Sequence, residues 1–212
     1  MKNSAALITR DIHVEIIGAA ERLFNDVGFK KTTVADIAHE LRMSPANIYR
    51  FFTTKAEINA AVCGRLFGEI EATAEEIARS SGPASKTLRN LIASVESRNS
   101  LRSLNDPKLH ELFQTAYDKN WPMVREHAKR MDRILEEVIR QGMAAGEFRA
   151  GDAALAATRF VCACIRSCDP RLMVECAHDP EPSTDQMIDF CLAALGRVDG
   201  FDQDEFADEC EE

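Results

Sequence analysis

The fold of this chain is decided by residues 32–55, which read TTVADIAHELRMSPANIYRFFTTK. Apolar residues recur at positions 34, 37, 38 and 41, which is the spacing of one face of an α-helix. Thr33 stands three residues before Asp36, as in a capping box, where each side chain bonds to the backbone of the other residue. These signals predict a short amphipathic helix over residues 33–41.

A second short helix is predicted directly after the first. Ser44 is a favourable N-cap, and Pro45 suits the first helical position because its missing N–H would have no partner there. Ile48 and Phe52 then lie four residues apart on one face. Only residues 42–43 separate the two helices. Two short helices joined by so brief a turn form a helix-turn-helix, whose second helix enters the major groove of DNA.

Longer helices are predicted on both sides of this motif. The preceding helix covers residues 9–27, where apolar residues recur in helical phase, and Gly28 is a typical helix stop. The following helix begins at Lys55, because Thr54 and Glu57 have the spacing of another capping box.

This order of helices and caps resembles the TetR/AcrR family of bacterial repressors. The matching residues are Ala20, Leu23, Phe24, Gly28, Phe29, Thr32, Thr33, Val34, Asp36, Ile37, Ala38, Met43, Ser44, Asn47, Ile48, Tyr49, Phe52 and Lys55. The resemblance covers about the first 60 residues. It implies that the rest of the chain is an all-helical ligand-binding and dimerisation domain.

Two residues depart from the usual pattern of the family. Arg42 lies in the turn, where the family commonly has glycine, which adopts a positive φ easily. A non-glycine residue in that conformation costs on the order of 1 kcal/mol, and we expect this extra cation close to the DNA face. Phe51 stands where a polar residue that contacts phosphate is frequent.

The residues predicted to contact DNA are Thr33, Ser44, Ala46, Asn47, Tyr49, Arg50 and Lys55. Those at positions 46, 47 and 50 lie opposite the apolar face of the second helix, and asparagine and arginine can each form two hydrogen bonds to a base edge. The other four resemble phosphate-contacting positions of the family. Two alternatives stay open: Tyr49 as a packing aromatic and Lys55 as an ordinary solvated lysine.

Charge is distributed unevenly along the 212 residues. The formal net charge is −9, yet residues 1–55 carry +2 and residues 56–212 carry −11. Eight acidic residues and no basic residue lie in 199–212, a composition typical of a disordered acidic end. The basic N-terminal part suits a DNA-binding surface. The tail is interpreted as solubilising, with competition for the basic face as the alternative.

An all-α fold with about nine helices is predicted, since no segment shows strand alternation. The helices beyond the third are predicted over residues 55–80, 85–104, 107–120, 122–145, 153–168 and 184–196. Three segments follow from this pattern. Residues 1–54 are predicted to form the helix-turn-helix DNA-binding domain, residues 55–198 the helical effector-binding and dimerisation domain, and residues 199–212 the acidic tail.

The eighth and ninth helices are predicted to form a homodimer interface. The eighth helix is apolar nearly all round, and such a helix must be covered on every side. Two subunits would then form a four-helix interface with two-fold symmetry. The predicted interface residues are Ala157, Val161, Cys164, Phe190 and Leu192. The alternative is that both helices are internal to one subunit.

A pocket for a small-molecule effector is expected among the fourth to eighth helices. Aromatic residues and methionines with a few polar groups are typical of such pockets, although they equally suit a helical core. The candidate lining residues are Phe67, Phe113, Tyr117, Trp121, Met123 and Met131, with Arg159 and Arg166 as polar anchors.

The seven cysteines are expected to be free thiols of a cytoplasmic protein. Cys164 and Cys168 are four residues apart on the predicted eighth helix. A thiol-responsive regulator that uses this pair is therefore an alternative to simple packing. No CxxC pairing occurs, and neither a metal site nor a cofactor is predicted.

Together these features predict a DNA-binding regulator and not an enzyme, because no Gly-rich phosphate loop, GxSxG or HExxH motif occurs. The predicted protein is a homodimeric repressor that binds a palindromic double-stranded DNA operator and is released by an unidentified small molecule. No apolar run is long enough to span a bilayer, so no membrane partner is expected. The alternative is a helical adaptor that binds a protein through its acidic tail.

Overall fold

Every regular element in the described part of the chain is an α-helix, which confirms the predicted fold class. A computed structural model describes residues 2–103, 107–179 and 181–196, so the predicted acidic tail lies outside the described residues. Within these ranges the helices are α1 (Lys2–Val27), α2 (Val34–Glu40), α3 (Pro45–Ile48), α4 (Lys55–Ala78), α5 (Ala84–Ser103), α6 (Pro107–Asp118), α7 (Pro122–Ala144), α8 (Ala153–Ala163), α9 (Ile165–Cys168), α10 (Pro170–Glu175) and α11 (Thr184–Leu195).

Most of these boundaries agree with the sequence-based predictions to within a few residues. The first helix is the exception, because α1 begins at Lys2 and not at residue 9. The apolar periodicity used for the prediction starts only at Ile12. Alanine and leucine in the preceding residues are strong helix formers without forming a stripe, and they extend the helix.

The prediction of one continuous helix over residues 153–168 is wrong. Cys164 has φ −93° and ψ 11°, and it separates α8 from α9. A further short helix, α10, follows in a stretch that was predicted to be a loop. Asp169 caps it by accepting the N–H of Arg171 at 2.8 Å, and Pro170 occupies its first position. The described chain therefore has eleven helices where about nine were predicted.

Two clusters of buried apolar side chains run along the molecule, and α4 contributes to both. The first cluster joins α1–α3 to α4–α6 and includes Phe24 and Phe113. The second lies among α4, α5, α7, α8 and α11 and includes Leu88 and Phe160. Because the first cluster takes residues from both sides of residue 54, the predicted domain boundary is not a break in the core.

Polar contacts also join the N-terminal helices to α6. The Lys108 ammonium donates to the backbone carbonyls of Asn25, at 3.1 Å, and Asp26 at the end of α1. Lys30 forms an ion pair with Glu111 of α6. These contacts hold the helix-turn-helix against the helical body.

The segment that follows α7 is held by close packing. A Cβ on Gly142 would lie 2.3 Å from Cδ2 of Phe148, far inside van der Waals distance, so the ring requires glycine on the facing helix. The N–H of Arg149 donates to the carbonyl of Leu195 at 2.7 Å. This segment therefore ties the end of α7 to the end of α11.

Candidate DNA-binding face and effector cavity

The capping box predicted at the start of α2 is present. The Thr33 hydroxyl accepts the N–H of Asp36 at 3.2 Å, and the Asp36 carboxylate accepts the N–H of Thr33 at 2.7 Å. The Asp36 carboxylate also accepts the Thr33 hydroxyl at 2.7 Å, and this bond, together with the one from the Thr33 N–H, holds the pKa of Asp36 below its usual value. Thr33 is exposed, so the N-terminal end of α2 faces solvent.

The turn between α2 and α3 contains the positive φ that glycine commonly supplies at this position. Arg42 adopts φ 55°, and its N–H donates to the carbonyl of His39 at 3.1 Å. The N–H of Met43 donates to the carbonyl of Ala38 at 2.8 Å. Ser44 then caps α3 by accepting the N–H of Asn47 at 3.2 Å. An arginine therefore stands in a left-handed conformation at the tip of the helix-turn-helix.

The predicted recognition helix, α3, is a single turn with one buried and one open side. Ile48 is fully buried in the first cluster. Ala46, Tyr49 and Arg50 are exposed, and Asn47 is half-buried. The ring of Tyr49 is 49% exposed, so this residue does not act as a packing aromatic. The open side of α3 thus presents the side chains that were predicted to meet DNA.

Only half of the capping box predicted between Thr54 and Glu57 is present, because the Glu57 side chain bonds to a different residue. Thr54 accepts the N–H of Glu57 at 3.1 Å, as expected. The Glu57 carboxylate, however, accepts the N–H of Thr53 at 2.7 Å and also the Thr53 hydroxyl. These bonds lower the pKa of Glu57. The carboxylate therefore reaches one residue beyond the N-cap and orders the segment between α3 and α4.

Lys55 at the start of α4 is not an ordinary solvated lysine. Its ammonium donates to the carbonyl of Lys30 at 3.2 Å, in the segment between α1 and α2. Partial burial lowers the pKa of this ammonium group. The side chain therefore links the start of α4 to the segment before the helix-turn-helix.

The exposed cations of the N-terminal helices and of the segments between them differ in whether the protein pairs them. Arg22 is neutralised by Glu40, with nitrogen and oxygen 2.7 Å apart. Within the described ranges, the exposed side chains of Lys31, Arg42 and Arg50 have neither an ion pair nor a hydrogen bond. These three cations have no internal partner, so each is available to a phosphate.

Phe51 has a packing role, which accounts for its departure from the family pattern. Its ring meets His13 of α1 edge-on, with the ring centres 5.2 Å apart. Phe52 contacts the same histidine at 5.1 Å. The aromatic residue therefore anchors the end of the helix-turn-helix on α1.

A cavity of about 150 Å³ lies in the body among α5, α6, α7, α8 and α9. Its lining is mostly apolar and consists of Ile92, Val95, Tyr117, Val124, His127, Ala128, Met131, Asp132, Leu135, Val161, Ile165, Cys168 and Asp169. Of the predicted pocket residues, only Tyr117 and Met131 line it. Val161 was predicted to lie in the dimer interface but also lines the cavity.

The remaining pocket predictions need correction. Phe67 and Phe113 are buried against each other, with ring centres 5.3 Å apart, and belong to the first core cluster. Arg159 is exposed to solvent, and Arg166 donates to the carbonyls of Asp179 and Glu181, at 2.9 Å for Glu181. Trp121 and Met123 pack against the first core cluster and do not line the cavity.

A buried polar cluster beside the cavity was missed in the sequence. Glu71 of α4 is 6% exposed, and its carboxylate accepts Arg130 at 2.6 Å and lies 2.9 Å from Nδ1 of His127. The His127 ring stacks on Phe67 at 4.3 Å, and burial lowers its pKa. The sequence does contain one indication of this cluster. Glu71 follows Phe67 by four residues, so a charged residue interrupts the apolar face of α4.

Two family models match the chain. The model described as bacterial regulatory proteins, tetR family, matches residues 16–62. The model described as tetracyclin repressor-like, C-terminal domain, matches residues 84–187. This chain belongs to the TetR family of transcriptional regulators. Its helix-turn-helix, α2–α3, is accordingly a DNA-binding unit.

Solved structures of other regulatory proteins share the fold. A TetR/AcrR-family regulator from Thermobifida fusca is 24% identical, with a TM-score of 0.62 over 91% of this chain and 100% of that one. SmeT, the repressor of the Stenotrophomonas maltophilia multidrug efflux pump SmeDEF, is 20% identical, with a TM-score of 0.60 over 88% and 91%. FadR, the fatty acid degradation regulator from Bacillus halodurans, is 17% identical, with a TM-score of 0.60 over 88% and 95%. No curated protein sequence matches.

The cysteines of this TetR-family chain do not form the helix-face pair that was considered. Cys164 lies at the break between α8 and α9, whereas Cys168 is the last residue of α9, and Cys164 is 2% exposed. Burial raises the pKa of both thiols, which disfavours the reactive thiolate form. Within the described residues no group of three or more His, Cys, Asp or Glu is placed to hold a metal ion.

The predicted dimer residues divide into two groups. Ala157 and Cys164 are 1% and 2% exposed in the subunit, so they belong to the second core cluster and have no surface to contribute to an interface. Phe190 of α11 is 68% exposed, and Val161 and Leu192 are half-buried. Leu155 of α8, which was not predicted, is 45% exposed. These side chains, unlike Ala157 and Cys164, have exposed apolar surface. None of the described helices is long and apolar enough to cross a membrane.

Proposed function

We propose that this TetR-family regulator is a repressor that binds a palindromic operator as a homodimer and dissociates when a small molecule occupies the cavity. The observation that carries the proposal is the helix-turn-helix itself: both of its helices are capped, and Arg50 just after α3 is exposed and has no ion pair in the described part of the chain. In this proposal residues 1–54 bind DNA and residues 55–198 bind the effector and the second subunit. The protein would act in the cytoplasm, where its operator lies.

Within this proposal, Asn47 and Arg50 read bases and the other predicted residues bind phosphates. Arg50 is exposed in the turn that follows α3, and arginine forms two hydrogen bonds to guanine in the major groove. The exposed caps Thr33 and Ser44 place helix N-termini toward the phosphates, which suits an anion. Lys55 keeps N–H donors beyond the one given to Lys30, so it can also contact a phosphate.

Dimerisation is assigned to the outer face of α8 and α11. Phe190 is the most exposed of the large apolar side chains described, and burying such a ring against a second subunit is favourable. Val161 and Leu192 are half-buried beside this face. A two-fold pair of subunits presents two copies of α3, which requires an operator with two inverted half-sites.

The link between the cavity and the DNA face passes through α4. His127 lines the cavity, contacts Glu71 of α4 at 2.9 Å and stacks on Phe67 of the same helix. At its other end α4 begins with Lys55, which contacts the segment before α2. A ligand that binds more tightly when His127 is displaced therefore shifts α4 and the spacing of the two recognition helices.

The test is a set of DNA-binding isotherms over a salt series, using the DNA upstream of the protein's own gene and a scrambled sequence. Replacing Arg50 with Ala should cost about 1–3 kcal/mol on the operator and relax the preference at one base pair in each half-site. Lys55→Ala should weaken binding to both DNAs equally. The matched control is Lys86→Ala, an exposed lysine on α5, which should change neither affinity.

The opposite pattern would contradict the proposal. If Lys55→Ala altered base preference while Arg50→Ala weakened both DNAs equally, α3 would not be the base-reading helix. Specific binding that persists in every variant would place the DNA face elsewhere on the molecule.

A further inference from the structure

The size and lining of the cavity restrict what it can hold. Its volume of about 150 Å³ is enclosed largely by aliphatic side chains, including Val95, Met131 and Leu135. An apolar cavity of about this size in a protein interior accepts one benzene ring. Ala128 and Ile165 are lining residues that are exposed, so they mark the mouth. The occupant is thus a compact hydrocarbon group with room for a polar end at the opening.

Two of the polar groups on the lining are already engaged by the protein. His127 lies 2.9 Å from the Glu71 carboxylate through Nδ1. The carboxylate of Asp169 accepts the backbone N–H and the guanidinium of Arg171, each at 2.8 Å. The charge of Asp169 is therefore compensated inside the subunit.

Asp132, unlike His127 and Asp169, is a charged group of the lining that the protein leaves without a partner in the described residues. In the described part of the chain its carboxylate has neither a hydrogen bond nor an ion pair, although it is half-buried. The cations beside it on α7 are directed elsewhere, since Arg130 binds Glu71 and Arg133 donates to the carbonyl of Lys129 at 3.2 Å. Burial raises the pKa of Asp132, and no nearby cation offsets this effect. An uncompensated carboxylate at an apolar cavity is unfavourable until a cation binds it.

We propose that the cavity binds a small lipophilic amine, whose ammonium group pairs with Asp132 while its ring packs among Val95, Met131 and Leu135. This inference rests on the proposed function, in which the cavity is the effector site. The ammonium would donate hydrogen bonds to a carboxylate that the protein leaves unpartnered, a charge-assisted contact stronger than a neutral one. The ring would fill the apolar space. The same cavity would reject anions of equal size.

The experiment compares three probes of one shape on the full-length protein: benzylamine, benzyl alcohol and benzoate, measured by calorimetry at neutral pH. Benzylamine should bind at least about tenfold more tightly than benzyl alcohol, the smallest effect expected from a charged hydrogen bond. Benzoate should not bind. Asp132→Asn should reduce benzylamine affinity to that of benzyl alcohol. The matched control is Glu126→Gln, which removes an exposed carboxylate from the same helix and should change nothing.

A thermal melt provides a second readout for the same variant. Asp132→Asn should melt at or above the temperature of the unaltered protein, because it removes an uncompensated carboxylate, and it should lose the benzylamine-induced rise. Equal affinity for benzyl alcohol, undiminished benzylamine binding by Asp132→Asn, or no benzylamine binding at all would overturn the inference. If benzylamine binds as expected yet leaves the operator complex intact, the ligand class stands and the proposed release mechanism fails.

Discussion

Replacing Arg42 with Gly should raise the free energy of unfolding and lower the affinity for DNA. Arg42 holds φ at 55°, a conformation that costs a non-glycine residue about 1–2 kcal/mol. Glycine relieves this strain but adds about 0.4–1 kcal/mol of conformational freedom to the unfolded chain. Within the described residues, the Arg42 side chain has no hydrogen bond or ion pair that would be lost. The free energy of unfolding should therefore rise by about 0.5 kcal/mol.

The effect of Arg42→Gly on DNA binding has the opposite sign. If each Arg42 of the dimer neutralises one phosphate, the variant lowers the slope of log affinity against log salt by about 1.8. Between 50 and 200 mM salt, the unaltered protein should therefore lose about twelvefold more affinity than the variant. The effect should be equal on operator and scrambled DNA, because a phosphate contact carries no sequence information.

Urea unfolding and salt-dependent DNA binding measure the two effects separately. The matched control is Asn120→Gly, at φ 48° between α6 and α7, which relieves a similar backbone conformation away from the DNA face. That variant should leave the salt slope unchanged. A loss of stability in Arg42→Gly would refute the strain argument, and an unchanged salt slope would remove Arg42 from the DNA face.

The remaining predictions concern packing, assembly and pH. Gly142→Ala should lower the free energy of unfolding by about 1–3 kcal/mol through overpacking. Its control is Gly68→Ala on α4, where a Cβ would meet nothing within 4 Å. That variant should raise the free energy of unfolding by about 0.5–1 kcal/mol, and urea titrations measure both changes. Phe190→Asp should give monomers by sedimentation, and an unchanged dimer would exclude the α8–α11 face. Because burial lowers the pKa of His127, its unfolded form binds the proton more readily. Stability should therefore fall from pH 7 towards pH 5, and fall less in His127→Gln, when urea midpoints are compared.

The DNA-binding half was predictable because its signals are local. The caps Thr33 and Ser44, the proline after Ser44 and the apolar spacing of α2 act within a few residues of the chain. Even the strained turn followed from Arg42 in a position suited to glycine. These features need no knowledge of distant contacts.

The body was predicted less well because its site depends on tertiary contacts. Cys164 stops α8 although nothing nearby in sequence is a helix breaker. Phe67 and Phe113 look like pocket residues in the sequence, yet they pack on each other. Asp132 was overlooked because an acidic residue on a helix usually faces solvent. Only its place beside the cavity distinguishes it.

The DNA-binding helices and the body share a single core, which limits the parts of this regulator that can be combined with parts of another protein. Phe24 of α1 and Phe113 of α6 are buried in one cluster, and Lys108 holds the end of α1. A hybrid that joined residues 1–54 to another sensor body would expose the underside of α1 and lose these contacts. An exchange that also carried α4 and α6 would retain them. In an engineered biosensor, the DNA-binding helices would therefore have to be transferred together with α4 and α6. Transferring residues 1–54 alone would not be enough.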